Sequence, residues 1–551
     1  MAAMGEERAA GAVAAGAVAA GASSAILLTL ASGQFLMTLD SSVMNVSIAT
    51  VAEDVHTTVT GIQPAITLYT LVMATLMITG GRLGQILGRK RAFAIGCVIY
   101  GCGSFTTAIA PNLAVLILGW SFLEGVGAAL IMPAIVALVA SNFGPSERPR
   151  AYGLVASAGA MAVAAGPLIG GFFTTYLSWR LVFAGEVLVV LVILVMTRRI
   201  ADTPADPEAK LDLIGTLLSA VGLGLFVYGV LRSGTWGFVR PKAEAPVWLG
   251  LSPVVWLILL GCAVIVGFLR WERYRVDHQR AALIDPAMLR NTQLQGGLTA
   301  FFFQFLLQAG LFFVVPLFLS VALGLSAIAT GVRLLPLSVT LLLAAVGIPK
   351  LFPHASPRRV VQLGFVALLL GIVVMIALLD MGAGPEIVTW PMLLAGLGVG
   401  ALASQLGAVT VSAVPDEQSG EVGGLQNTVT NLGASIATAL TGAVLISVLT
   451  TTFLTGLDSD PAVSDELSSR AEVELSSGIP FVSDAQLEDG LAAAGVDQAT
   501  ADAVVEENAT ARIEGLRAAL AVLALITFLA LWSSRRLPTT QPSDQGTTAP
   551  L

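Results

Sequence analysis

Runs of about 18 or more apolar residues recur along almost the whole chain, and short segments between them hold most of the Lys, Arg, Asp and Glu. A helical run of that length crosses the hydrocarbon layer, so the pattern predicts an all-α polytopic membrane protein. Fourteen membrane helices are predicted, near 25–49, 62–80, 92–110, 113–137, 151–175, 181–197, 212–231, 247–270, 297–322, 328–349, 360–380, 388–412, 424–450 and 516–534. Segments after even-numbered helices carry Arg82, Arg89, Lys90 and Arg91, then Arg148 and Arg150, and so on to Arg535 and Arg536. The segment 413–423 is an acidic exception, and among the odd segments only the seventh, with Arg240 and Lys242, is noticeably basic. Basic loops stay on the cytoplasmic side. The expectation is a multi-pass protein of the cell membrane with both termini cytoplasmic.

Composition agrees: 56% of the 551 residues are hydrophobic and 12% charged, and the mean hydropathy is +0.84. Soluble domains carry about twice that charged fraction. Cys97, Cys102 and Cys262 all lie in apolar runs, which is neither a disulfide framework nor a zinc pattern. His56, His278 and His354 fall in connecting segments, so no histidine metal site is expected. No phosphate-cradling glycine–lysine loop is present, so ATP is not the evident energy source. No nucleophile–base constellation points to an enzyme, and no cofactor or nucleic-acid partner is expected.

Residues 1–24, rich in Ala and Gly, read as a flexible cytoplasmic tail, and Glu6 and Glu7 argue against a secretory signal. The segment 451–514 holds fourteen Asp and Glu against Arg470 and Arg512, and is expected outside the cell. Its stretch Asp484–Asn508 has helical composition, with Ala, Leu and Val among the acids; the segment as a whole reads as a solvated hairpin, or more sharply as an electrostatic funnel for cationic solutes. Residues 538–551 read as a second cytoplasmic tail. Internal repetition organises the remainder. Gly96 recurs as Gly364, Gly125-Val126-Gly127-Ala128 as Gly398-Val399-Gly400-Ala401, and Gly153-Leu154 as Gly424-Leu425, at offsets of 268, 273 and 271 residues. Three concordant offsets predict a duplicated six-helix unit, 25–200 and 291–537, with an inserted two-helix segment and linker at 201–290.

Candidate chemistry centres on acids inside apolar runs. Asp40 lies in the first, where a central charge costs about 2.5–3.5 kcal/mol; such residues face protein or water and mark ion and substrate pathways. Glu124 and Glu186 lie inside the fourth and sixth. The bland alternative is a structural carboxylate satisfied by a neighbouring hydroxyl. In the second half, Gln304 and Gln308 stand among phenylalanines of the ninth helix, and Gln426, Asn427 and Asn431 mark the thirteenth. With Met37 and Met44, one turn either side of Asp40, they suit an amphipathic pocket.

Four motifs carry a resemblance. Gly81-Arg82-Leu83-Gly84-Gln85-Ile86-Leu87-Gly88-Arg89-Lys90-Arg91 resembles the cytoplasmic gate signature of the major facilitator superfamily, with Gln85 where the family has an acid. Leu39-Asp40-Ser41-Ser42-Val43-Met44-Asn45 is similar to the first-helix signature of its fourteen-helix drug:H+ antiporter branch. Gly119 to Ala129 resembles the fourth-helix signature, with Ser121 in place of the arginine credited with proton coupling, and Gly166-Pro167-Leu168-Ile169-Gly170-Gly171 matches the antiporter motif. The resemblance implies the major facilitator fold, two six-helix bundles plus two inserted helices, around a central cavity. It implies Asp40 and Glu124 as a pair exchanging protons for substrate. Glu186, on a peripheral helix, would make a structural contact or serve as a second protonation site. The implied function is proton-coupled export of amphipathic, cationic drugs, by a monomer driven by the proton gradient. The alternatives are export of an endogenous metabolite, lipid or self-made antibiotic, and a non-transporting membrane sensor.

Overall fold

The computed structural model describes the backbone of residues 2–57, 59–201, 205, 209–242, 245–460 and 481–541. Fourteen long helices stand among them, where the apolar runs are. The first half holds α1 (Ala2–Asp54), α2 (Val59–Leu87), α3 (Arg89–Ala108), α4 (Leu113–Asn142), α5 (Arg148–Tyr176) and α6 (Arg180–Thr197). The inserted pair is α7 (Leu213–Trp236) and α8 (Pro253–Asp277). The second half holds α9 (Thr292–Leu317), α10 (Ala327–Leu351), α11 (Pro357–Leu378), α12 (Thr389–Val411) and α13 (Ser419–Ser459); the short α14 (Asp484–Ala493) then leads to α15 (Gln498–Ser533). Thirteen are long and apolar enough to cross a membrane. The exception is α3, whose Gly96, Gly101, Gly103, Ser104 and Thr107 dilute its apolarity while letting it pack among its neighbours.

One apolar core fills the first six helices and a second fills the C-terminal six. They meet where α2 and α4 pack on α13, and where α5 packs on α10 and α12. The inserted pair packs on itself, and α7 touches both α2 and α13 along one side of that seam.

Three expectations about the ends change. The stretch expected as a tail at 1–24 is helical from Ala2 and continuous with α1, as its alanine content favours. In the acidic segment 451–514 the helical composition read over Asp484–Asn508 is met by α14 and the start of α15; what changes is that α13 runs on to Ser459 and α15 is continuous from Gln498 into its membrane span, with residues 461–480 outside the described set. Leu449, Phe453 and Leu457 pack there against Val504 and Ala511, a satellite core that lengthens both helices beyond the apolar spans. Residues 538–541, at the start of the expected second tail, are docked. Arg358 N–H donates to the Pro538 carbonyl at 3.2 Å, and Gln541 Nε2 to that of Ala355 at 2.7 Å.

Candidate functional site

The end of the bundle that carries the basic loops is closed by contacts between the halves. The chain leaves α2 through Gly88, whose φ of 92° suits a residue without Cβ, and enters α3 at Arg89. Gly81 abuts the Gly420 backbone so closely that a Cβ there would strike its carbonyl. Around that crossing Arg82 Nη1 lies 3.2 Å from Glu421 Oε1, and Gln85 Nε2 donates to the same oxygen at 3.2 Å. Arg89 donates to the Asp416 carbonyl, and Arg148 Nη2 reaches the Asp416 carboxylate at 2.9 Å. The acidic exception at 413–423 is thereby explained, since Asp416 and Glu421 receive the other half's arginines. Gln85, neutral where an acid was expected, bridges by hydrogen bonds while Glu421 brings the charge from across the seam. Arg91 is exposed and outside the latch. Among the described residues, most hydrogen bonds between the halves belong to this latch; Ser338 with Ala160, and Asn431 with Met77, join the halves deeper in the bundle, beside the cavity.

Beyond the latch a cavity of about 380 Å³ lies between the halves. Of the residues expected to line it, Met37, Gln304, Gln308, Gln426, Asn427 and Asn431 do so. Met44 does not: two turns further along α1, about 10 Å, it is buried in the first-half core. Gln34 and Thr38 of α1, absent from the expected set, also face the cavity. In α5, Gly166 and Gly170 lie against Ser42 and Val43 of α1, and Ser42 Oγ donates to the Val163 carbonyl at 3.2 Å. Gly171 is buried, and the ring of Pro167 is outside the described side chains.

The acids do not face the cavity. On a 3.6-residue helix Asp40 stands about 60° to 120° round from Gln34, Met37 and Ser41, and it points into the first bundle. There it meets Glu124 of α4 and Glu186 of α6, one carboxylate oxygen of each lying within 4.8 Å of the others. All three are buried, at 0%, 0% and 2% exposure. The Asp40–Glu124 pair expected beside the substrate is therefore a triad behind the cavity wall, and Glu186 belongs to it. Its partners are neutral. Trp120 Nε1 donates to both Asp40 oxygens at 2.9 and 3.1 Å, Thr107 Oγ1 to Glu124 at 3.1 Å and Ser104 Oγ to Glu186 at 3.2 Å. Glu124 Oε2 and Glu186 Oε1 are left without a partner, as are the buried hydroxyls of Tyr69 and Tyr100 near them. The Tyr69 ring stacks on Trp120 at 5.1 Å and 4°.

Locally, Trp120 and Glu124 lie four residues apart, on one side of α4. Both fall in a π-helical turn over Ile117–Glu124, and such turns recur at functional sites. Ser121, at the expected arginine position, donates to the Ala65 carbonyl at 2.8 Å and stays out of the cluster. Sequence reasoning missed Trp120, Tyr69, Tyr100, Ser104 and Thr107. Only Trp120 left a signal, four residues before Glu124.

The family model described as Major Facilitator Superfamily matches residues 30–438. The chain belongs to that superfamily. Among relatives of this superfamily member, a protein described as a probable actinorhodin transporter of Streptomyces coelicolor is 28% identical over 82% of this chain and 76% of its own length. The multidrug resistance protein Stp of Mycobacterium tuberculosis is 26% identical over 92% of this chain and 91% of its own. The crystal structure of the human organic anion transporter MFSD10 aligns with a TM-score of 0.56 at 12% identity, over 93% of this chain and 99% of that one. At that identity it speaks for the fold alone.

Proposed function

We propose that this superfamily member is a proton-coupled exporter of small amphipathic molecules, working by alternating access. The observation that carries the reading is the triad of Asp40, Glu124 and Glu186: three carboxylates sealed in an apolar bundle with only neutral donors around them. Carboxylates that close in a dry interior share protons instead of bearing three charges. A site that must hold protons, one helix from a cavity, suits a transporter that trades protons for cargo. By the positive-inside rule the latched end and both termini are cytoplasmic, so this conformation is closed toward the cytoplasm. Proton entry would refill the triad and shift α1, α4 and α6. The movement would be passed to the cavity through α1, which bears Asp40 on one face and Met37 on another. Each charge crossing 100 mV supplies about 2.3 kcal/mol, and each pH unit about 1.36 kcal/mol per proton, enough for concentrative export.

The relatives named for multidrug resistance and for an antibiotic support export of drugs or of a self-made antibiotic. No cofactor or enzymatic step is needed. One copy holds both halves of the cavity, so a monomer suffices. The test is dye efflux from energised right-side-out vesicles. We expect gradient-dependent efflux that a protonophore abolishes and that Asp40→Asn or Glu124→Gln reduces at least about tenfold. Normal efflux in both variants would sink the coupling role. No gradient-dependent flux of any substrate would favour a sensor.

A further inference from the structure

The resemblance led to an expectation of cationic cargo, because Asp40 would meet it. The geometry points instead to an uncharged, flat, oxygen- or nitrogen-bearing aromatic molecule as the substrate class, an inference that rests on the export reading of the same cavity. Among the described residues, no Asp, Glu, Lys, Arg or His lines the cavity. Asp40, the acid expected to receive a cation, is fully buried on another face of α1 and engaged by Trp120. Among aliphatic, methionine and hydroxyl neighbours, two kinds of lining side chain bear on the cargo. Phe301, Phe305 and Phe312 of α9, with Tyr152 of α5, present aromatic surface. Gln34, Gln304, Gln308 and Gln426 present amide heads.

The amides carry the specificity. Gln304 is 2% exposed, yet its Oε1 has no hydrogen-bond partner, and Gln426 Oε1 is equally orphaned. A buried polar atom without a partner is costly to hold, and the cost is relieved when a ligand donates to it. Rotation of either amide, which also carries two N–H donors, brings its oxygen to the cavity surface, so the pair matches N–H, O–H and carbonyl groups on a ring system. A formal charge finds no counter-charge here. An aromatic face attracts a cation less strongly than desolvation penalises it. An anion would meet ring faces and amides that bear no formal positive charge, so nothing in the described lining offsets its desolvation.

Binding to purified, reconstituted protein without any gradient tests this. The probes are lumichrome, a flat uncharged heteroaromatic with N–H donors and carbonyl acceptors, and ethidium, equally flat but permanently cationic, both followed by fluorescence. We expect lumichrome to bind at least about tenfold more tightly than ethidium. We expect Gln304→Leu and Gln426→Leu each to weaken it about five- to tenfold with ethidium unchanged, and Gln304→Glu to bring ethidium binding above lumichrome binding. Chromatographic monodispersity of each variant separates loss of binding from loss of fold. Ethidium binding as tight as lumichrome in the unmodified protein, lumichrome affinity indifferent to both leucine variants, or binding of neither probe would each overturn the inference. Selective lumichrome binding without gradient-driven efflux would sink the export reading alone and leave the substrate class standing.

Discussion

At the residue scale the decisive fact is which face of α1 each side chain occupies. Met37 and Ser41 look into the cavity, while Asp40 between them looks away, toward Trp120. The proposed function therefore divides substrate contact and proton holding between two faces of one helix. Asp40→Asn should therefore abolish gradient-driven efflux while leaving lumichrome affinity within about twofold, because the variant changes nothing the ligand touches. Comparing binding with efflux on one preparation checks it. Asp54, at the other end of α1, tests electrostatics outside the membrane-spanning segment. Its carboxylate accepts from Trp179 Nε1 at 2.9 Å and from Arg180 Nη1 at 2.5 Å, and the Trp179 bond, followed by the Arg180 charge, holds it below the ordinary carboxylate value. A depressed carboxylate stabilises the fold above its unfolded value, and that share is lost as pH falls through the folded value. The melting-temperature gap between the unmodified protein and Asp54→Asn should accordingly be small, since Asp54 is partly exposed, constant near neutrality, and closing only in acid.

At the scale of elements, close packing of α1 on α5 and the π turn of α4 matter most. A Cβ at Gly166 would collide with the Ser42 side chain. Gly166→Val should cost about 1–3 kcal/mol by overpacking, read as a lower melting temperature together with reduced efflux. The motif's glycines and the apolar spans were legible in the sequence, because small residues and period-free hydrophobic runs are local properties. The lengths of α13 and α15 were not. Their extensions hold because Leu449, Phe453 and Leu457 find Val504 and Ala511, a pairing between segments whose acidic composition suggested a solvated loop. Arg512 shows the same limit. Counted as a surface charge, it is 2% exposed, donating to the Val482 carbonyl at 2.9 Å and paired with Asp484.

At the scale of the whole molecule, the two halves are held together at the basic end by charges that come from opposite halves. Breaking that latch should bias the molecule toward opening there. Arg148→Asp opposes two acids across the seam, and electron-spin distances between labels on the 144–147 and 415–418 loops should lengthen. The exchange Arg148→Asp with Asp416→Arg should recover much of the short-distance population, which a merely structural role for Arg148 would not.

The chain alone pointed to an all-helical polytopic membrane protein, to two six-helix bundles with an inserted pair, and to the acids that lie inside its apolar runs. These follow from hydropathy, charge placement and internal repetition, all of which act along the chain. Only the tertiary structure decided that Glu186 joins Asp40 and Glu124, that Glu421 brings an acid to Gln85 from across the seam, and that no charged side chain among the described residues lines the cavity. Each depends on side chains from helices far apart in sequence converging on one point. A linear pattern records which residues a helix carries, but not which neighbour each face will meet.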